Sequence, residues 1–465
     1  MATVNCDVVV LGAGPGGYVA AIRAAQLGKR TVLVEKGELG GVCLNVGCIP
    51  SKAMINAGNL VEKARKAADF GITFEGLKVD MGKLVDWKGA VVKKLTGGIG
   101  LLCQKAGVTI LQGTGTFTAP TRLEVKTKDG TTVVEAKDAI LATGSRPIEV
   151  PGFAVDGKRV LSSTEALDLR AAPRRVVVIG GGYIGLELGT WLSKMGSDVT
   201  VVELTGSLLP GQDPDLVRHV ERSLKKRKVR ILLETKAKSW KDGKDGATVV
   251  VETKRGEESI PCDAILSTVG RRPNSENLGL ERIGVKIERG FVPTDDRCRT
   301  NLPHLYAIGD VAGQPMLAHK ASREAAVAAE VIAGLPSARD WRSVAAVIFT
   351  DPEIASVGMT EEQAKAAGYD PVVGKFPFAA LGRALAIHDS EGFAKIVADR
   401  KTDLVLGVHV VGPEACDLVS EGALAIEAGL RVEDIGSTIH PHPTLPEAIM
   451  EAAHALHGKS VHIAR

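Results

Sequence analysis

The chain has 465 residues, 45% hydrophobic and 24% charged, with a formal net charge of +3, which describes a globular protein of three or four domains. So small an excess, with no basic run interleaved with aromatics, gives no support to a nucleic-acid binder, and no apolar run approaches the roughly 18 residues of a membrane span. Seven scattered cysteines are not a secreted disulfide framework, and without a basic-then-apolar leader the chain reads as cytoplasmic, or as the mature form of an organelle-matrix protein.

Residues 7–11 form a short apolar run ending in Gly12-Ala13-Gly14-Pro15-Gly16-Gly17. A helical pattern follows to Leu27, and Thr31-Val32-Leu33-Val34 closes on Glu35. Strand, glycine turn, helix, strand and acid in that order make a dinucleotide-binding unit. Gly12 and Gly14 allow a tight turn and a close pyrophosphate, Gly17 lets helix and strand pack, and Glu35 accepts from ribose hydroxyls.

The segment after it, Gly40-Gly41-Val42-Cys43-Leu44-Asn45-Val46-Gly47-Cys48-Ile49-Pro50-Ser51-Lys52, carries two cysteines five positions apart. On a regular helix they would stand roughly 140° apart around the axis and about 7.5 Å along it, too far for a disulfide. The turn must be distorted to join them, with Gly47 supplying the freedom. Pro50 suits a first helical turn, so Cys48 is expected near a helix N-terminus, where a thiolate is favoured. The alternative is two reduced, buried thiols. Cys6, Cys103, Cys262, Cys298 and Cys416 are expected to be free and structural.

The glycine pattern returns after Arg175–Ile179 as Gly180-Gly181-Gly182-Tyr183-Ile184-Gly185, with a second acid at Glu203. Two such units mean two dinucleotide sites. Only the first runs into the cysteines, so its ligand is the redox cofactor, and a flavin fits because it takes two electrons from a dithiol. The second then binds the nicotinamide. Glu203, followed by Leu-Thr-Gly-Ser without an arginine, favours NAD over NADP.

Leu141-Ala142-Thr143-Gly144-Ser145-Arg146-Pro147 and Ser267-Thr268-Val269-Gly270-Arg271-Arg272-Pro273-Asn274 mirror one another. They are either backbone crossings near the cofactors or ordinary interdomain turns. Lys225-Lys226-Arg227-Lys228 is expected as the solvated end of a helix. Asp310, after a short apolar run, either meets the cofactor or caps a helix. From about 343, strand-like runs (344–349, 393–398, 404–411) alternate with helical stretches (360–367, 417–429), an α+β dimerisation domain. The chain closes with His440-Pro441-His442-Pro443-Thr444-Leu445-Pro446-Glu447. Thiol–disulfide exchange needs a base that works near neutrality. His442 can serve, oriented by Glu447 as in a hydrolase triad, with His440 as its rival. Thr444-x-x-Glu447 is also a capping box; the two roles are compatible.

In these motifs the chain resembles the dihydrolipoyl dehydrogenase family of pyridine nucleotide-disulfide oxidoreductases over essentially its whole length. Related disulfide reductases typically carry Val-Pro-Lys-Lys after the second cysteine, or an added C-terminal cysteine pair, and this chain has neither. The resemblance implies an α/β fold with two Rossmann-like domains and an α+β dimerisation domain. Its expected divisions are an FAD-binding domain (1–147), an NAD-binding domain (148–272), a central domain completing the FAD site (273–342) and the interface domain (343–465). By the same resemblance Cys43 is the interchange sulfur and Cys48 the flavin-facing one. His442, steered by Glu447, is the base, contributed by the partner of a homodimer. Lys52 lies near the flavin and pairs with Glu187.

FAD contacts are implied at Gly12, Gly14, Gly17, Glu35, Lys36, Lys52, Gly115, Thr143, Gly144, Ser145, Asp310, Met316, Leu317, Ala318 and His319. NAD contacts are implied at Gly180, Gly182, Gly185, Glu187, Glu203, Ala237 and Gly270. No metal is expected. The implied partner is a lipoyl-bearing acyltransferase core or a glycine-cleavage H-type carrier protein, with no nucleic acid and no membrane. Val42, Tyr183, Leu381, Pro441 and Pro446 depart from the family's usual residues.

Overall fold

The structure is a computed structural model that describes residues 2–464. Its first sheet is parallel and five-stranded, in the order Leu305–Ala307, Asp138–Leu141, Val8–Leu11, Thr31–Glu35, Thr109–Gln112. The second repeats that plan with Val160–Leu161, Ala264–Ser267, Arg175–Ile179, Asp198–Val202 and Arg230–Leu232. Helices and antiparallel meanders cover both faces, so the central strands read as unbroken valine runs: Val8–Val10 and Val176–Val178 are at most 2% exposed. Each unit carries one three-stranded antiparallel meander (114–135 and 236–262).

The mirrored turns meet. Ser145–Pro147 pairs antiparallel with Arg271–Pro273, and the Asn274 amide donates to the Gly144 carbonyl at 2.9 Å, stitching the two units together at the crossing. The 273–342 segment lends strand Leu305–Ala307 to the first sheet, and its helix Ala318–Ile332 packs on helix Pro15–Gln26.

The C-terminal part is an antiparallel sheet ordered Ala346–Ile348, Glu353–Gly358, Val405–Gly412, Phe393–Asp399, Pro371–Pro377. Helices Ala415–Ala428 and Glu447–Leu456 pack on it and share its apolar core, which includes Leu381. Helix Pro214–Lys226 of the second unit is held against this sheet by Lys395 on Asp213 (2.5 Å) and Glu391 on His219 (2.8 Å). The basic cluster at its end departs from the expected solvated helix end, because one of its members turns inward. Arg227 is 14% exposed and reaches back to Glu62 (2.8 Å) and Asp351 (2.6 Å). Two carboxylates from separate elements recruit it inward, which a local charge run cannot show.

Candidate active site

A long cleft runs from the first glycine loop past the cysteines to the second helix. Gly12 has φ +101°, and a Cβ there would stand 2.4 Å from the Ala142 carbonyl oxygen; Gly180 repeats this with φ +108° and the Thr268 carbonyl at 2.6 Å. Gly17 and Gly185 lie against the carbonyls of Gly12 and Gly180, too close for any side chain. At Gly14 and Gly182 a Cβ would meet no protein atom, so the space over each helix N-terminus is open to an anionic ligand. Glu35 accepts from the amides of Ala13 (2.6 Å) and Gly37 (2.7 Å). Glu203 accepts from Gly181 (2.6 Å) and Thr205 (2.7 Å). Each acid therefore braces the loop that it faces.

Between Cys43 and Cys48 the helix is interrupted. One short helix, Gly41–Asn45, ends before Val46, and Gly47 (φ −135°, ψ −109°) precedes a new one, Cys48–Arg65. This is the distortion the spacing required, and it makes Cys48 the first residue of its helix. Both cysteines are free here. The neighbouring Cys43 thiol, the Lys52 ammonium and the Cys48 amide outweigh burial and pull Cys48 down to about 7. The nearby Cys48 sulfur and burial push Cys43 up. Cys48 is surrounded by protein yet open to the cleft. The remaining five cysteines are free, as expected.

Lys52 donates to Glu187 at 2.8 Å, the pairing that the resemblance implied. Its ammonium also lies 4.6 Å from the centre of the Phe349 ring. Glu187 is 3% exposed, and its other oxygen accepts from the Phe349 amide at 2.9 Å. The carboxylate thus ties the cysteine helix, the second unit and the C-terminal sheet. Ser145 donates to Asp310 (2.5 Å) and Thr143 to the Asn274 carbonyl (2.6 Å).

Of the implied cofactor residues in the first unit and central segment, Gly12, Gly14, Glu35, Lys36, Lys52, Thr143, Gly144, Ser145, Asp310, Met316 and Ala318 line the cleft. Gly17 lies under the loop, as its packing role requires. Gly115 is buried in strand Thr114–Ala119, where a Cβ would stand 2.7 Å from Leu11. Leu317 precedes helix Ala318–Ile332, and His319 turns away to the Ala345 carbonyl at 2.8 Å. On the second unit Gly180, Gly182, Gly185 and Glu203 gather at the loop, Gly270 (φ +122°) follows strand Ala264–Ser267, and Ala237 lies at a bulge near the start of strand Lys236–Gly243.

Sequence reasoning missed two supporting groups. Arg271 donates to the Ser145 hydroxyl (2.8 Å) and carbonyl (2.7 Å) at the cleft wall; its place in the mirrored turn was the available signal. Glu324, fully buried, accepts from the Gly309 amide at 2.7 Å and pairs with Lys320 and Arg339. No local pattern marks it.

The two histidines separate cleanly. His440 is 5% exposed in its side chain and spends both ring nitrogens, on the Thr438 carbonyl and on Glu421, each at 2.9 Å. His442 is 76% exposed and uses only Nδ1, on Glu447 at 2.8 Å, leaving Nε2 for chemistry. Glu447 also accepts from the Thr444 amide at 2.8 Å, while the Thr444 hydroxyl donates to Pro441. The capping box offered by the sequence does not form, because the helix begins at Glu447 itself, after Pro446; one Glu447 oxygen closes the preceding turn on the Thr444 amide and the other orients the imidazole. Burial resists its ionisation, but the Thr444 amide and His442 hold it below the usual carboxylate range. Neither His442 nor Glu447 lines the cleft of its own chain.

Residues 6–325 match the family described as pyridine nucleotide-disulphide oxidoreductase, and residues 344–453 match its dimerisation domain. The chain is 49% identical over 461 residues to a dihydrolipoyl dehydrogenase of Geobacillus stearothermophilus, covering 99% of this chain and 98% of that one. It is 49% identical to another from Bacillus subtilis, with the same coverage. Among solved structures, LpdA from Mycobacterium tuberculosis superposes with a TM-score of 0.90 at 30% identity, over 98% of this chain and 99% of that one. Among the described residues no helix is long and apolar enough to cross a membrane.

Proposed function

The chain belongs to the dihydrolipoyl dehydrogenases of the pyridine nucleotide-disulphide oxidoreductase family, and on that premise we propose that it reoxidises dihydrolipoyl groups through Cys43 and Cys48, with NAD as acceptor. The observation that carries this reading is Cys48: a sulfur at a helix N-terminus, drawn toward its thiolate beside Lys52, in the cleft that the first glycine loop opens.

The residues present fit FAD, since the open volume above Gly14 lies between loop amides and the Ser145–Asp310 pair. Gly12, Gly14, Gly17, Glu35, Lys36, Thr143, Gly144, Ser145, Asp310 and residues 316–319 would hold it, with Lys52 alongside. Bound there, FAD supplies the acceptance of two electrons from the dithiol and their passage to NAD. Gly180, Gly182, Gly185, Glu203, Ala237 and Gly270 would hold NAD. Glu203 would accept from its ribose hydroxyls and disfavour a 2′-phosphate.

With the pair oxidised, a substrate thiolate attacks Cys43, forming a mixed disulfide and releasing Cys48 as thiolate. Lys52 and the helix N-terminus stabilise that leaving sulfur. The substrate's second sulfur then displaces Cys43, which leaves carrying a proton. His442 of the partner subunit takes the substrate proton at Nε2, its Nδ1 held by Glu447 of the same subunit. The dimerisation domain makes the active unit a homodimer. The lipoyl group arrives on another chain, an acyltransferase core or an H-type carrier protein, in the cytoplasm. Cys48→Ser tests the reading: NAD reduction by dihydrolipoamide should vanish with dimer and FAD retained, and a variant that still turns over ends it.

A further inference from the structure

The Lys52–Glu187 pair has a second neighbour away from the cleft. Glu187 accepts from the Phe349 amide at 2.9 Å. The carbonyl of that same peptide unit, on Ile348, accepts from the Cys416 thiol at 3.7 Å. The Cys416 amide in turn donates to Glu353 at 3.1 Å. Glu353 stands in the wall of a separate cavity of about 270 Å³, bounded by the far ends of helices Cys48–Arg65 and Tyr183–Lys194 and by loops of the C-terminal domain. Along the cysteine helix, Asn59 on that wall lies about 16 Å from Cys48.

We propose that Glu353 is a positioning residue for the dithiol: its charge, set from this cavity, acts through Cys416, the 348–349 peptide and Glu187 on Lys52, and so governs how readily Cys48 holds a thiolate. This rests on the reading of Cys48 given above.

The surroundings leave Glu353 poised. From helix Ala415–Ala428 and its start come Cys416, Asp417 and Glu414; its own loop brings Asp351. The cysteine helix contributes Glu62, Lys63 and Lys66, the second unit Lys194, and the 387–389 turn His388 and Asp389. Several of the nearby cations are already engaged. Lys194 binds Asp351 at 2.6 Å, Lys66 binds Glu62 at 3.2 Å, and Arg227 binds both acids. Burial, with Glu414 and Asp417 adding to it, pushes Glu353 up to about 7. Capping the Cys416 amide calls only for an acceptor, which a glutamine also provides. An acid that changes charge near neutrality does more, because every negative charge behind Glu187 weakens the thiolate preference of Cys48.

The test measures that coupling on the thiol itself. In the reduced holoenzyme, in a Cys43→Ser background, the rate of Cys48 alkylation by iodoacetamide is followed against pH on the Cys48 peptide by mass spectrometry. Glu353→Gln removes the charge and keeps the cap. It should lower the midpoint by about half a pH unit and sharpen the curve to a single titration. Glu353→Asp, which restores the charge, should return the midpoint toward the parent. Superimposable curves for Gln and parent, or an Asp variant that departs while Gln does not, would overturn the proposal and leave Glu353 a helix cap. Failure of the dithiol reading shows separately, as NAD reduction surviving Cys48→Ser.

Discussion

The two dinucleotide units are alike down to individual hydrogen bonds and yet do different chemistry. Each has a positive-φ glycine under a carbonyl, a second glycine open to the ligand and an acid accepting two amides at 2.6 and 2.7 Å. They part after the acid. Glu35 leads into a helix that breaks at Gly47 and restarts on Cys48, whereas Glu203 leads into a turn where it also accepts from the Thr205 hydroxyl at 2.8 Å. The fold binds; the segment appended to it reacts.

That contrast can be broken at several points. Removing what only the first unit owns should cost most. Cys48→Ser is expected to lower NAD reduction by at least about a thousandfold while leaving nicotinamide binding at the second unit unchanged, as measured by calorimetry. Next comes the proposed base. His442→Gln should lower kcat by about a hundredfold or more, and His440→Gln should act on stability instead, because both of its nitrogens are committed to structure. Steady-state rates and thermal midpoints on the same two proteins decide it; a collapse in kcat for His440→Gln alone would reverse the assignment. The braces give a smaller and more even effect. Glu35→Gln and Glu203→Gln should each weaken only the ligand of their own unit, by about tenfold, read as FAD retention in one case and KM for NAD in the other. If Glu203→Gln also admitted NADPH efficiently, the carboxylate would be the main source of the NAD preference.

Both glycine units, the cysteine segment and the His442–Glu447 pair were legible because each is a local pattern with a backbone reason for its spacing. The strands Glu353–Gly358 and Pro371–Pro377 were not read. The second lies at a sheet edge with proline at both ends, where local rules argue against a strand. Helix Met81–Lys105 was missed as well, since its exposed Leu95, Leu101 and Leu102 blur any apolar stripe. Leu381, unexplained from sequence, is 5% exposed and packs in the C-terminal core. Pro446 stands directly before helix Glu447–Leu456, and Tyr183 opens the second helix at the cleft wall. What sequence could not show is what distance in the chain hides: Arg227 turning inward, Glu324 under Gly309 and the link from Glu187 to Glu353.

The effect that leaves both ligands untouched lies away from both loops, in the pH dependence of stability at Glu353. Its folded-state value near 7 exceeds the ordinary 4.5 because burial disfavours the charge. Between those values the folded chain holds a proton that the unfolded chain has released, so stability falls as pH rises through the window and the loss is complete above it. A neutral amide escapes this loss. Glu353→Gln should therefore be more stable than the parent at pH 8, by no more than about 3 kcal/mol, and the difference should vanish toward pH 4.5. Opposing it is the charge assistance that the ionised carboxylate lends to the Cys416 amide at the start of helix Ala415–Ala428, worth about 1 kcal/mol and absent from a glutamine that keeps the hydrogen bond itself. Urea midpoints at the two pH values decide between them: a parent more stable than the variant at pH 8 would mean that the cap outweighs the burial of its charge.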